Sequence, residues 1–570
     1  MPATQAPRGA ALLYAPDGYD TSRPKLMGRH AAGEGLLSGL VQHSGYDRLV
    51  ALTQTPDDAE AFRRHVATLA SRHGRVMPAE VIPDAEFGRL AQIGCLLLPG
   101  PDLGNFAWRR RRTGDATGFS LVGVTHTIAS TSAMDGILES LVAPVQAWDA
   151  IVCTSTAVQR SVRRLLEMQA AYLSRRLGAT RIEGPQLPVI PLGVDAGALA
   201  PDPAQRAEWR RKLNIGERDI VVLHHGRLSF HAKALPLPMF RAIGQAAARA
   251  PAGTQVVLVL SGWYADDTQR RAFEQQAAAV APDLAIRLVE RPPTGTTIRN
   301  VADIFTLLSD NIQESFGLAP VEALAAGLPI VGTDWDGLKD TILHGETGFR
   351  VPVTMAGPMP ELADRHDTGA DSYDQYIAGV AQFTAVDIPA ATEAFCALIA
   401  DAGLRARMAE AARRDALARF DWAAVIPRWT GLAEQLAAQR QAARAERAAP
   451  LSGEERLPHR PDPSLLFADY PTRRLAPETR LMLVPGEDAD AAMARLATLV
   501  AVTGTTPRRD LLPAAVNLRE ALEALQAGPA TAAMLTAGMP LARAWRTQRA
   551  LAWMLKLDLI RLAEEPGYGT

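Results

Sequence analysis

The chain has 570 residues, of which 48% are hydrophobic and 21% charged, with a formal net charge of −2. That length exceeds what one hydrophobic core organises, so two or three domains are expected, and the near-neutral balance leaves no electrostatic footprint for nucleic acid. Three cysteines, Cys95, Cys153 and Cys396, stand among apolar residues. They are too few and too scattered for a disulfide framework or a zinc site, and fit a reducing compartment.

The first residues, MPATQAPRGAALLYAP, lack the basic and apolar regions of a secretory leader. No apolar run approaches the roughly 20 residues that span a bilayer, so a cytoplasmic location is expected. Short apolar runs then alternate with helical patterns, the mark of βαβ units on parallel sheets. The first series of expected strands is Ala11–Tyr14, Arg48–Leu52, Gln92–Leu98, Leu121–Val124 and Ala150–Thr154. Between the first two runs lies a glycine-rich turn, Gly28-Arg-His-Ala-Ala-Gly33-Glu-Gly35, leading into a helix. Glycines admit a phosphate close to the backbone, and a helix N-terminus offers it N–H donors. His126 stands just past the fourth run. Asp149 and Ser155 near the fifth are read as structural.

The stretch Pro191-Leu-Gly-Val-Asp195 and the proline-rich turn from Ala200 mark a domain boundary, followed by a short helix over Arg206–Leu213. A second series of strands is expected at Ile220–His224, Gln255–Leu260, Ile286–Val289, Ile304–Leu307 and Pro329–Gly332. Directly after the first of these comes His225-Gly226-Arg227-Leu228-Ser-Phe-His-Ala-Lys233. It sets two permanent cations where phosphates would sit, Arg as a bidentate fork and Lys as a point charge. Arg291 follows the third run. The segment Glu314-Ser-Phe316-Gly317-Leu318-Ala-Pro-Val-Glu322 places one carboxylate in a loop and a second in a helix expected to start near Ala319–Pro320. The N–H groups of Gly317 and Leu318 would face an anion such as a diphosphate. Trp335 in the next loop suits an acceptor contact or core packing equally.

From about Thr392 to Arg447 the pattern is helical and rich in Ala and Arg, read as a solvated helical face. A proline-rich linker from Leu457 leads to a last segment of about 100 residues, expected to be helical or winged-helix-like, with no chemistry assigned. The expected domains are 1–200, 201–420, a helical crossover and linker at 421–456, and the extension at 457–570.

The run from Asp310 to Val331, with Gly345-Glu-Thr-Gly348-Phe beyond it, resembles the E-x7-E region of retaining glycosyltransferases of family 4. The resemblance covers roughly residues 10 to 430. It implies an α/β fold of the GT-B type: two Rossmann-like parallel-sheet domains facing a cleft, here with a mainly helical C-terminal extension. It implies that Glu314 contacts the donor sugar and Glu322 the ribose, and that Arg227 and Lys233 hold the diphosphate. It further implies donor contacts at Gly33, Gly35, Phe316, Gly317, Leu318 and Arg291, and a catalytic contact from His126. The G-R-L-x3-K-like pattern carries one additional position before Lys233. The expected reaction is metal-independent sugar transfer from a nucleoside diphosphate sugar, as co-substrate and with no cofactor, to the hydroxyl of an acceptor that the sequence does not name. Neither nucleic acid nor more than peripheral membrane contact is expected. A nucleotide-sugar epimerase or phosphorylase on the same fold, and a non-catalytic carbohydrate-binding scaffold, are the alternative readings.

Overall fold

The computed structural model describes residues 9–19, 21, 28–290, 292, 297–445, 460–502, 511 and 515–563. It divides into two compact units, residues 1–458 and 459–570. The first unit contains two six-stranded parallel sheets. Strands β1 (Ala11–Leu13), β2 (Leu49–Thr53), β3 (Ala79–Pro83), β4 (Cys95–Leu97), β5 (Ser120–Val124) and β6 (Ala150–Val152) lie in the order β3-β2-β1-β4-β5-β6. The second sheet has β7 (Ile220–Arg227), β8 (Val256–Trp263), β9 (Ala285–Glu290), β10 (Ile304–Leu307), β11 (Ile330–Thr333) and β12 (Gly348–Val351), ordered β12-β11-β10-β7-β8-β9. Counted from its own first strand, each sheet runs 3-2-1-4-5-6, the Rossmann order. This is the GT-B architecture of two tandem Rossmann-like domains.

Buried parallel strands need apolar residues on both faces. In β2, β5 and β11 every residue is buried, which is why those segments read as continuous apolar runs. Two strands escape that signal. Half-buried β3 carries Glu80 and ends in Pro83 at the sheet edge, and β12 has only Gly348 and Val351 buried. Buried charge organises the first domain as well. Arg110 and Asp149, both fully buried, pair through two bonds of 2.6 Å, and Asp149 also accepts the Leu121 and Gln146 N–H groups at 2.8 Å. That makes Asp149 structural, as read.

Helices α1 (Gly28–His43) and α2 (Thr156–Leu177) flank the first sheet, and α3 (Leu318–Ala325) follows β10. Beyond β12, strands β13 (Val353–Met355) and β14 (Thr384–Val386) form a separate antiparallel ribbon bearing α4 (Pro360–Asp367) and α5 (Tyr373–Gln382). Helix α6 (Trp422–Ala445) returns to the first domain, where Trp422, Ile426 and Trp429 join its core with Leu12, Leu40 and Leu97. Part of the Ala- and Arg-rich pattern is therefore core and not a solvated face.

The second unit is mainly helical, as expected, and adds a small sheet. A three-stranded antiparallel sheet, β16-β15-β17, is built from β15 (Arg480–Leu483), β16 (Ala530–Thr531) and β17 (Ile560–Leu562). Between β16 and β17 come α7 (Ala532–Thr536) and α8 (Leu541–Lys556), and the unit has its own core with Leu481, Leu522, Leu551 and Ile560. Among the described residues no helix is long and apolar enough to cross a membrane.

Candidate active site

Open α/β sheets bind ligands outside the carboxyl ends of their strands, where the strand order reverses. In the second sheet that point lies between β7 and β10. Arg227 ends β7, the loop after it carries Lys233, and the loop after β10 carries Glu314. Several hydrogen bonds join the two loops. Ser309 Oγ donates to the Lys233 carbonyl at 3.0 Å, Asn311 Nδ2 to the His231 carbonyl at 2.7 Å, and the Leu235 N–H to Asp310 Oδ2 at 3.2 Å. Lys233 Nζ is ion-paired with Glu314, whose side chain is only 8% exposed. Arg227 ends β7 with its side chain half-buried and makes no ion pair among the described residues.

Glycine at 317 starts α3. It adopts φ 88°, and a Cβ there would come within 2.9 Å of Leu338 Cδ2. The chain turns sharply at this glycine and presents the first N–H groups of the helix, Leu318 among them. Glu322 sits in the second turn, ion-paired with Arg299. Arg299 was not foreseen. Its one signal is a guanidinium between the apolar residues Ile298 and Val301, and its side chain is 9% exposed.

Deep burial sets the protonation of the surrounding groups. His224 is pushed down to about 4 by burial and the nearby Lys233 charge, and His225 to about 3 by burial and the Arg299 charge. Asp310 rises to about 7 through burial. Asp336, in the left-handed region at φ 41°, rises to about 8 through burial and the neighbouring Glu314 and Asp340 carboxylates. Cations and hydrogen-bond donors are thus available next to Asp336, an acid that mostly keeps its proton at neutral pH.

The first domain meets this recess through loops at the carboxyl ends of its strands. Ser155 caps α2 and donates its hydroxyl to the Ser315 carbonyl at 2.9 Å, and Ser315 returns its own to the His126 carbonyl. Thr156 donates its N–H and hydroxyl to Asp340 at 2.5 and 2.7 Å. The His126 ring lines an apolar pocket at the ends of β1, β4 and β5, together with Leu12, Leu97, Val124, Gly33 and Trp422. Trp335 donates its indole N–H to the Asn311 carbonyl at 3.0 Å, which turns it toward packing.

Not every expected contact survives. Gly33 and Gly35 lie inside α1 instead of in a phosphate-binding turn. A Cβ on Gly33 would fall 2.3 Å from the Gly18 carbonyl oxygen, and one on Gly35 2.7 Å from the Trp422 ring. Their glycine is required by packing. Phe316 is 3% exposed, edge-on to Phe420 with centroids 6.0 Å apart, so only its main chain can reach a ligand. Arg291 lies outside the described residues. The structure therefore brings Arg227, Lys233, Glu314, Gly317 and Leu318 around one switch point, with Glu322 on the same helix and His126 across the seam.

Residues 205–359 match the family described as glycosyl transferases group 1. A D-inositol 3-phosphate glycosyltransferase of Rhodococcus jostii is 30% identical over 263 residues, 44% of this chain and 53% of that protein. A GDP-mannose-dependent alpha-(1-6)-phosphatidylinositol monomannoside mannosyltransferase of Mycolicibacterium smegmatis is 26% identical over 306 residues, 52% of this chain and 69% of that one. The chain thus spans about half the length of the first of these relatives. Among solved structures, HepE of Anabaena with UDP and glucose gives a TM-score of 0.46 at 16% identity, covering 76% of this chain and 99% of that one. The segment that matches the group 1 glycosyl transferases is the one that holds Arg227, Lys233, Glu314 and Glu322.

Proposed function

We propose that the chain is a retaining glycosyltransferase that takes a sugar from a nucleoside diphosphate sugar and passes it to an acceptor hydroxyl on a glycan, glycolipid or small molecule. The observation that carries this is the convergence of Arg227, the Lys233–Glu314 pair and the start of α3 on one switch point, with Glu322 of that helix paired to Arg299 from the turn before β10. A diphosphate needs cations and N–H donors; a sugar and a ribose need carboxylates fixed at two distances from it. This recess has both.

In the proposed reaction the bond between the sugar's anomeric carbon and the phosphate oxygen breaks, and a bond to the acceptor oxygen forms on the same face. The acceptor proton passes to the departing phosphate oxygen, leaving the nucleoside diphosphate and the glycoside. Charge growing on the leaving group is met by Arg227, Lys233 and the N–H groups of Gly317 and Leu318, so the chain's own groups stabilise it without a metal. Glu314 orients the sugar and is no nucleophile, because its carboxylate is engaged by Lys233. Glu322, steadied by Arg299, takes the ribose hydroxyls. The apolar pocket beside His126 lies on the acceptor side. The relatives named above act on inositol phosphate or a phosphatidylinositol mannoside, which favours a polyol-bearing acceptor.

The test is a thermal-shift screen against nucleoside diphosphate sugars, followed by donor turnover in Arg227→Ala and Glu322→Ala. A ligand at 100 times its dissociation constant stabilises by about 2.7 kcal/mol. Binding with turnover lost in both variants supports the reading. Binding without any turnover favours the non-catalytic scaffold, and unchanged turnover in both variants removes this site from the reaction.

A further inference from the structure

The family match ends at residue 359, and both helices of the β13–β14 ribbon lie beyond it. The ribbon belongs to the second domain, next to β12, yet α4 and α5 make contacts elsewhere. Ile377 of α5 is fully buried against Ala129 of the first domain and Ala232, the residue before Lys233. The Tyr373 hydroxyl donates to Gln313 Oε1 at 3.1 Å and lies 3.4 Å from Thr127 Oγ1. Gln313 in turn donates its amide to the Ala232 carbonyl. His366 Nε2 is 3.0 Å from Thr131 Oγ1, and its ring stacks on Tyr376 at 4.4 Å. Arg227 is close enough for its charge to act on the Tyr373 phenol.

Three segments therefore meet at Tyr373: the loop after β5 that holds His126, the loop after β7 that holds Lys233, and the loop that holds Glu314. We propose that the α4–α5 hairpin is a clasp over the phosphate end of the cleft, and that Tyr373 is its positioning residue. Through Gln313 and Thr127 it fixes the cation-bearing loop against the first domain. The clasp moves with the second domain and latches onto the first, so nucleotide enters and leaves when Ile377 leaves its seat. With the clasp shut, water is kept from the diphosphate. The inference rests on the nucleotide-sugar reading of the cleft.

Stopped-flow exchange of fluorescent mant-GDP, mant-UDP and mant-ADP tests it on the full chain, as wild type, Tyr373→Phe and Ile377→Ala. Tyr373→Phe keeps the ring and loses the hydroxyl bridge, so its thermal midpoint should match wild type while nucleotide dissociation speeds up at least fivefold. Ile377→Ala should accelerate association as well as dissociation, which a general loss of stability would not do. If wild type binds a nucleotide and both variants exchange it at the wild-type rate, the clasp is wrong and the donor reading stands. If wild type binds none of the three, the donor reading fails and the clasp falls with it.

Discussion

Lys233 and Glu314, 81 residues apart in sequence, form an ion pair between the ends of two adjacent strands. Lys233 follows β7 and Glu314 follows β10, so the pair ties both sides of the switch point to one position. Its Glu314 side chain is almost fully removed from water, and Lys233 is 24% exposed. Such a pair is costly to break from one side, because the remaining charge stays buried.

A double-mutant cycle measures that tie. Lys233→Met should destabilise more than Glu314→Gln, since it strands a carboxylate that is 8% exposed, whereas Glu314→Gln strands an ammonium that is 24% exposed and can be reached by water. The double variant should regain part of the loss, with a coupling of about 1–3 kcal/mol in denaturant melts. Donor turnover should fall in both single variants by about 100-fold or more. A coupling near zero would mean that the two loops are positioned by their backbone hydrogen bonds alone.

Arg299 is a second handle on the same helix. It reaches Glu322 from the turn before β10, and its head group is buried where Glu322 is 26% exposed. Arg299→Met keeps the packing of the aliphatic stem and frees the Glu322 carboxylate to move. Binding of the donor should weaken, with KM raised about 10-fold and kcat much less changed, because a contact made equally in ground and transition states is lost. A fall in kcat at constant KM would move Glu322 from the ribose to the reacting sugar.

The doubled α/β pattern and the switch-point residues could be read from the chain because parallel-strand runs are apolar throughout and the Glu314–Glu322 segment keeps its loop-then-helix order. What escaped did so for physical reasons. Strand β3 is half-exposed and mixed in composition, and the clasp helices α4 and α5 look like ordinary surface helices until Ile377 and Tyr373 are placed against residues far away in sequence. Gly33 and Gly35 were misread because a glycine needed for helix packing and one needed for a phosphate look alike in one dimension. Trp422, the ring that demands Gly35, lies nearly 400 residues further on.

That misreading has its own test. Gly33→Ala brings a methyl group against the Gly18 carbonyl oxygen, and Gly35→Ala brings one against the Trp422 ring. Each should destabilise the chain by about 1–3 kcal/mol through overpacking, with Gly33→Ala the more severe because a backbone carbonyl yields less readily than a ring. Nucleotide affinity of the fraction that folds should stay near wild type. A selective loss of nucleotide binding with unchanged stability would return these glycines to the phosphate.

The buried acids and histidines give the chain a defined pH response. Asp336 and Asp310 hold their protons up to about 8 and about 7 in the folded chain, against 3.8 when unfolded. The unfolded state therefore loses those protons first, and stability falls as pH rises toward 8. His224 and His225 work in the opposite sense at lower pH. They are neutral in the folded chain down to about 4 and about 3, so protonation of the unfolded chain below 6.5 removes stability there. Above 6.5 the histidines are neutral in both states and only the acids remain. The thermal midpoint should accordingly fall between pH 6.5 and 8, and Asp336→Asn, which cannot ionise, should flatten that fall and uncover a loss below pH 6.5, where in wild type the two acids offset the two histidines. An equally steep fall in Asp336→Asn would show that this carboxyl ionises freely beside Glu314, and the recess would then be wetter than its packing implies.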